Sequence, residues 1–143
     1  MKHYLLVFFL FALVVTNVKS QTFPGGLRAY LSKMEVNEKL PFEGDKWLAM
    51  QSDFIRLGVP VQIGELRFSP VFCSFQNDRL TIMILLYEDS GYVDKIKLGL
   101  SKKYKQKKCS SNSDALYCFE YPGMEVLIKN KALVYSVVST SDF

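Results

Sequence analysis

The chain has 143 residues and carries 18 Lys and Arg against 14 Asp and Glu, a formal net charge of +4. This length corresponds to a single domain, and so small a net charge gives only weak support for binding to polyanions in general. The sole histidine, His3, lies at the extreme N-terminus. Ser-His-Asp and Cys-His mechanisms, and zinc sites with imidazole ligands, are therefore excluded for the rest of the chain.

Residues 1–20 have the pattern of a cleavable secretory signal peptide. A short basic start is followed by the apolar run 5–15 and by a mostly polar stretch that ends at Ser20, before a cut at Gln21. The run is about half as long as the ~20 residues of a membrane-spanning helix, although an uncleaved anchor remains the alternative. We therefore predict a secreted or periplasmic protein in which residues 21–143 form one small soluble domain with no transmembrane segment.

Two segments near the start of this domain have helical patterns. Leu27, Tyr30, Leu31 and Met34 recur at the spacing of one helical face, which predicts a helix from Leu27 onward. Residues 37–44, with Pro41, are predicted to form a loop. Residues 45–57 fit either an amphipathic helix or a strand.

Strand patterns follow Gly58. Residues 59–68 predict a short strand with a bend, and residues 71–75 and 80–87 predict a hairpin whose connection is the polar set 76–79. The run 80–87 is almost entirely apolar, which is typical of a central strand covered on both faces.

The clearest helical pattern comes next. Ser90 is expected to cap this helix. Apolar side chains recur at helical spacing; they are Val93, Ile96, Leu100 and Tyr104. The helix is expected to end in the lysine-rich residues 105–108. Three further strands are predicted over 115–121, 124–129 and 132–139, joined by tight turns at 122–123 and 130–131.

This order of elements predicts an α+β fold. Hairpin-length connections favour a mainly antiparallel sheet of about five or six strands, with one to three helices packed on one side.

Three cysteines fall within the predicted exported domain. Cys109 and Cys118 bracket a polar loop, and we predict that they form a disulfide in an oxidising compartment. Cys73 is then left unpaired in a predicted strand, where we expect it to be a small buried apolar side chain.

One cluster of residues is the candidate binding site. Five lysines surround one tyrosine within seven residues; the set is Lys102, Lys103, Tyr104, Lys105, Lys107 and Lys108. In an exported protein their anionic partner would be a membrane surface, an acidic glycan or an acidic protein, rather than a nucleic acid. The alternative is that the lysines only favour a helix C-terminus and keep the surface hydrated.

No motif indicates a reaction, so we expect neither a metal nor a cofactor. Residues 88–94 lack the alternating acidic pattern of a calcium-binding EF-hand loop, and the segment 24–26 lacks the Lys-Ser/Thr of a phosphate loop. The sequence favours a non-catalytic binding or interaction protein. Two alternatives remain: a small hydrolase that uses carboxylates, Tyr or Lys, and a structural protein that binds copies of itself.

Overall fold

The computed structural model describes residues 21–44 and 53–138. The predicted signal peptide, residues 139–143 and most of the ambiguous segment 45–57 lie outside these ranges. The helices of the described part are α1 (Lys33–Lys39) and α2 (Tyr92–Ser101). Its strands are β1 (Thr22–Phe23), β2 (Leu27–Arg28), β3 (Phe54–Arg56), β4 (Val61–Ile63), β5 (Leu66–Phe68), β6 (Val71–Gln76), β7 (Arg79–Leu86), β8 (Lys105–Lys107), β9 (Tyr117–Tyr121), β10 (Met124–Lys129) and β11 (Ala132–Val137).

A seven-stranded antiparallel sheet dominates the described part of the chain. Its strand order is β3-β6-β7-β11-β10-β9-β8, and two separate ribbons pair β1 with β2 and β4 with β5. The predicted α+β class and antiparallel pairing are confirmed, but the sheet is larger than the five or six strands expected. Strand β3 lies in the segment 45–57, which fits either a helix or a strand in the sequence, and β8 was not predicted because its three residues are too few for an alternating pattern to stand out.

The two faces of the sheet differ in burial. One row of directly paired residues is buried across its centre; it consists of Ile55, Cys73, Met83, Tyr135, Val126 and Phe119. The neighbouring row on the opposite face is only half-buried in the central strands; it includes Phe72, Ile84, Val134 and Leu127. This alternation follows from the two-residue period of a strand. The predicted inner position of β7 is confirmed, but the expected cover on both faces is not, because the side chains on its second face are only half-buried.

Tight turns connect the strands where the sequence predicts them. The β6–β7 hairpin turns at Asn77 and Asp78, which both have positive φ angles, as a type I′ two-residue loop requires. Residues 122–123 and 130–131 separate β9, β10 and β11 as expected. Residues 59–68, predicted as one bent strand, instead form the β4–β5 ribbon, because Gly64 has a φ of 59° and reverses the chain.

Helix α1 begins six residues later than predicted. Leu27 pairs with Phe23 in a ribbon, and Tyr30 has a φ of 67°, which a right-handed helix does not allow. The start is set by a capping box: the Ser32 hydroxyl accepts from the Glu35 N–H, and the Glu35 carboxylate accepts from the Ser32 N–H.

Helix α2 is confirmed, but its ends differ from those predicted. Its N-cap is Gly91, without a side-chain cap, so the expected capping by Ser90 is wrong. The helix ends at Ser101, and the Tyr104 N–H still donates to the Leu100 carbonyl, which keeps Tyr104 in line with the apolar face. Neither described helix is long and apolar enough to cross a membrane.

The cysteines follow the sequence prediction. Cys109 and Cys118 form a disulfide with a Cα–Cα distance of 5.3 Å, which ties the segment after β8 to strand β9. Cys73 is unpaired and fully buried in β6.

Candidate functional site

The predicted lysine cluster is divided between two parts of the fold. Lys102 and Lys103 follow the last residue of α2, whereas Lys105 and Lys107 belong to strand β8. The side chains of Lys105 and Lys107 lie on the same face of the sheet, because they are two residues apart in one strand. The expectation that all five lysines end a helix is therefore wrong.

The lysines of β8 have carboxylate neighbours. Lys107 Nζ lies 2.6 Å from Glu125 Oε2 and 3.9 Å from Glu120 Oε2, and Lys105 is paired directly with Glu120 across the strands. β8 is also the edge strand of the sheet, where lysines hinder unwanted pairing with another chain. These lysines therefore have a structural role that does not require a ligand.

Tyr104 is part of the core rather than of an exposed surface. Its ring makes edge contacts with the rings of Tyr121 and Tyr135, at centroid distances of 5.7 and 6.3 Å. Burial raises the pKa of Tyr104, and the neighbouring Tyr121 raises it further. The hydroxyl accordingly stays protonated at neutral pH.

A groove of about 780 Å³ runs between α2 and the two ribbons. We call it the α2 groove. Its volume lies within the range of roughly 300–1,000 Å³ that is usual for small-molecule sites. The buried residues that line it form its floor: Phe23, Phe68, Ile96, Leu100, Tyr104, Leu133 and Tyr135.

The rim of the α2 groove carries positive charge. Its exposed residues include Lys95, Lys102 and Lys103, with a single carboxylate, Glu65. None of the three lysines forms an ion pair with another described residue. Of the predicted site, Lys102, Lys103 and Tyr104 thus lie at this groove, and Lys105, Lys107 and Lys108 do not.

Two polar atoms are available within the apolar floor. Within the described ranges, no hydrogen bond joins the Tyr104 or the Tyr135 hydroxyl to another residue, and both residues line the groove. Burial raises the pKa of Tyr135, so this hydroxyl too is a hydrogen-bond donor at neutral pH.

Two features common at catalytic or metal sites are not found within the described ranges. No charged residue in them is buried, so a carboxylic acid kept protonated by burial is not found there. No group of three metal-ligating side chains occurs in them either. In the acidic segment 88–94, the Asp89 carboxylate accepts from the Gly91 N–H and so supports the turn into α2.

No protein-family model, curated protein or solved structure matches the chain. Lys95, Leu98 and Gly99 also line the α2 groove but were not among the site residues predicted from the sequence. Their signal is present in the helix pattern, since Lys95, Leu98 and Gly99 lie three or four residues apart on one face of α2. Lys102 follows at the same spacing, directly after the helix.

Proposed function

We propose that this chain is an exported, non-catalytic binding protein whose α2 groove takes a small anionic ligand with an apolar body. The observation that carries this proposal is the pairing of an apolar floor with three lysines at the rim, none of them in an ion pair with a described residue. Ligand sites commonly combine an apolar lining with a few polar groups that fix orientation. The lysines at the rim favour a ligand with negative charge, and the apolar floor favours a ligand with apolar surface.

Two features support export. The sequence predicts a signal peptide over residues 1–20, and Cys109 and Cys118 form a disulfide, which persists in oxidising compartments such as the periplasm or the extracellular space. In those compartments the anionic ligands available include lipids, acidic metabolites and acidic glycans. Among these, an apolar groove favours lipids.

The test uses residues 21–143 with the disulfide intact and the anionic aromatic dye anilinonaphthalene sulfonate as the probe. We expect the dye to bind, and its affinity to fall as salt is added, because salt screens the attraction of Lys102 and Lys103. The double variant Lys102→Gln/Lys103→Gln should weaken binding several-fold.

The matched control is Lys105→Gln/Lys108→Gln, which removes the same charge from residues that do not line the groove. The control should bind the dye nearly as well as the wild type. Equal loss in both double variants would show that only the net charge matters, and the proposed site would be wrong.

A further inference from the structure

We infer that the ligand of the α2 groove is a single-chain amphiphile with a carboxylate head, a fatty acid in chemical terms. This inference rests on the proposed function and specifies its ligand class. The hydrocarbon chain lies on the floor of the groove, and the carboxylate lies at the end of α2, between Lys102 and Lys103 and beside the tyrosine hydroxyls.

The floor favours a hydrocarbon over a peptide. The floor residues present aliphatic and aromatic surface, and no polar residue other than tyrosine is buried among the described residues. A peptide backbone carries one donor and one acceptor per residue, and each would lose its water without gaining a partner on such a floor. A hydrocarbon chain has no hydrogen-bonding groups to satisfy, and its binding is favoured by each apolar contact that removes its surface from water.

The polar end of the groove is defined by the contacts of Tyr104. Lys103 Nζ lies 5.6 Å from the centre of the Tyr104 ring, and that ring contacts Tyr135. The Lys103 ammonium therefore lies near the Tyr104 ring, and Lys102, Tyr104 and Tyr135 line the same groove. A carboxylate accepts from both ammonium and hydroxyl donors, and such charge-assisted hydrogen bonds are stronger than neutral ones.

The wall formed by α2 leaves room for a chain. Leu98 is 64% exposed although it lines the groove, so the groove offers apolar surface that the fold itself does not cover. At Gly99, a Cβ atom would meet nothing within 4 Å. Gly99 lowers helix stability relative to alanine. The absence of a side chain at this position keeps this part of the groove open.

The first experiment measures how affinity depends on chain length. Octanoate, decanoate and dodecanoate are titrated into residues 21–143 by calorimetry, each below its micelle concentration. Affinity should rise about two- to fourfold for each added methylene that the groove covers. Dodecyltrimethylammonium, with the same chain and a cationic head, should bind at least ten times more weakly than dodecanoate.

The second experiment fills the groove from α2. Gly99→Phe places a ring in the open space and should reduce dodecanoate affinity at least tenfold. Ser101→Phe is the matched control, since Ser101 is exposed on α2 and does not line the groove, and it should bind dodecanoate like the wild type. Thermal unfolding of both variants is measured so that a loss of folding is not mistaken for a loss of binding.

Each alternative result has a definite meaning. If the dye binds in a Lys102- and Lys103-dependent way but affinity for the alkanoates does not rise with chain length, the fatty-acid inference is wrong and the proposed function stands. If the protein sediments with anionic phospholipid vesicles but takes up no dodecanoate, the groove contacts a membrane surface instead. If neither dye nor alkanoate binds, both proposals fail.

Discussion

Cys73 shows at the scale of one residue how burial controls chemistry. The thiol lies in the centre of the buried face of the sheet, paired across the strands with Met83. Burial raises the pKa of Cys73 to about 12. The thiolate is the reactive form of cysteine, so this residue is inert in the folded protein and serves packing.

The raised pKa of Cys73 predicts a loss of stability in alkali. The pKa of the folded state lies above the unfolded value of 9.0, so the stabilising contribution is complete below pH 9 and declines as the pH rises toward 12. At pH 10 the wild type should have lost about 1.4 kcal/mol of unfolding free energy through this group. Denaturant unfolding at pH 7 and pH 10 measures this change.

Cys73→Ala is the control for this prediction. Tyrosines with raised pKa values also destabilise the fold in alkali, but they do so equally in the wild type and the variant. The difference in unfolding free energy between the two proteins should therefore shrink by about 1.4 kcal/mol from pH 7 to pH 10. A constant difference would mean that Cys73 titrates normally in the folded state.

At the scale of single elements, the two helices α1 and α2 differ in how their N-termini are capped. Ser32 caps α1 through its side chain, whereas Ser90 makes no such contact with α2. We therefore expect Ser32→Ala to lower the unfolding free energy by about 1 kcal/mol, and Ser90→Ala to leave it almost unchanged. Denaturant unfolding of the two variants checks this, and equal effects would contradict the assigned caps.

The disulfide stabilises one edge of the sheet. It closes the loop from Cys109 to Cys118 beside the short edge strand β8. Replacing both cysteines by alanine should cost about 2–3 kcal/mol of unfolding free energy. Amide hydrogen exchange should then accelerate in Lys105–Lys107 more than in Met124–Lys129, which lies inside the sheet. Uniform acceleration would show that the bridge stabilises the whole fold rather than its edge.

At the scale of the whole molecule, the sequence predicts the elements that have a local pattern and not those that depend on contacts between distant segments. Strands β6, β7, β10 and β11 were predictable because their apolar residues alternate or run together and because their turns are local. Strand β8 was not predictable, since its three residues are Lys, Gln and Lys and only pairing with β9 makes them a strand. The disulfide was predictable from the short, polar loop that it closes.

The α2 groove is a property of the assembled fold. Its walls come from segments far apart in the chain, including the ribbon β1–β2, the ribbon β4–β5, α2 and β11. No local pattern shows that these segments meet. The lysine run drew attention to Lys102 and Lys103, but the fold separates them from Lys105 and Lys107, which the sequence places side by side.

The turn at Gly123 brings the two ends of the described chain together. The Val138 N–H donates to the Gly123 carbonyl at 2.9 Å, and the Gln21 side chain occupies the space that a Cβ at Gly123 would need. A short linker between residues 138 and 21 could therefore close the domain into a circle, and new ends could be opened at the exposed turn of Asn77 and Asp78. A tag or surface tether attached at either end would leave the molecule from the same point.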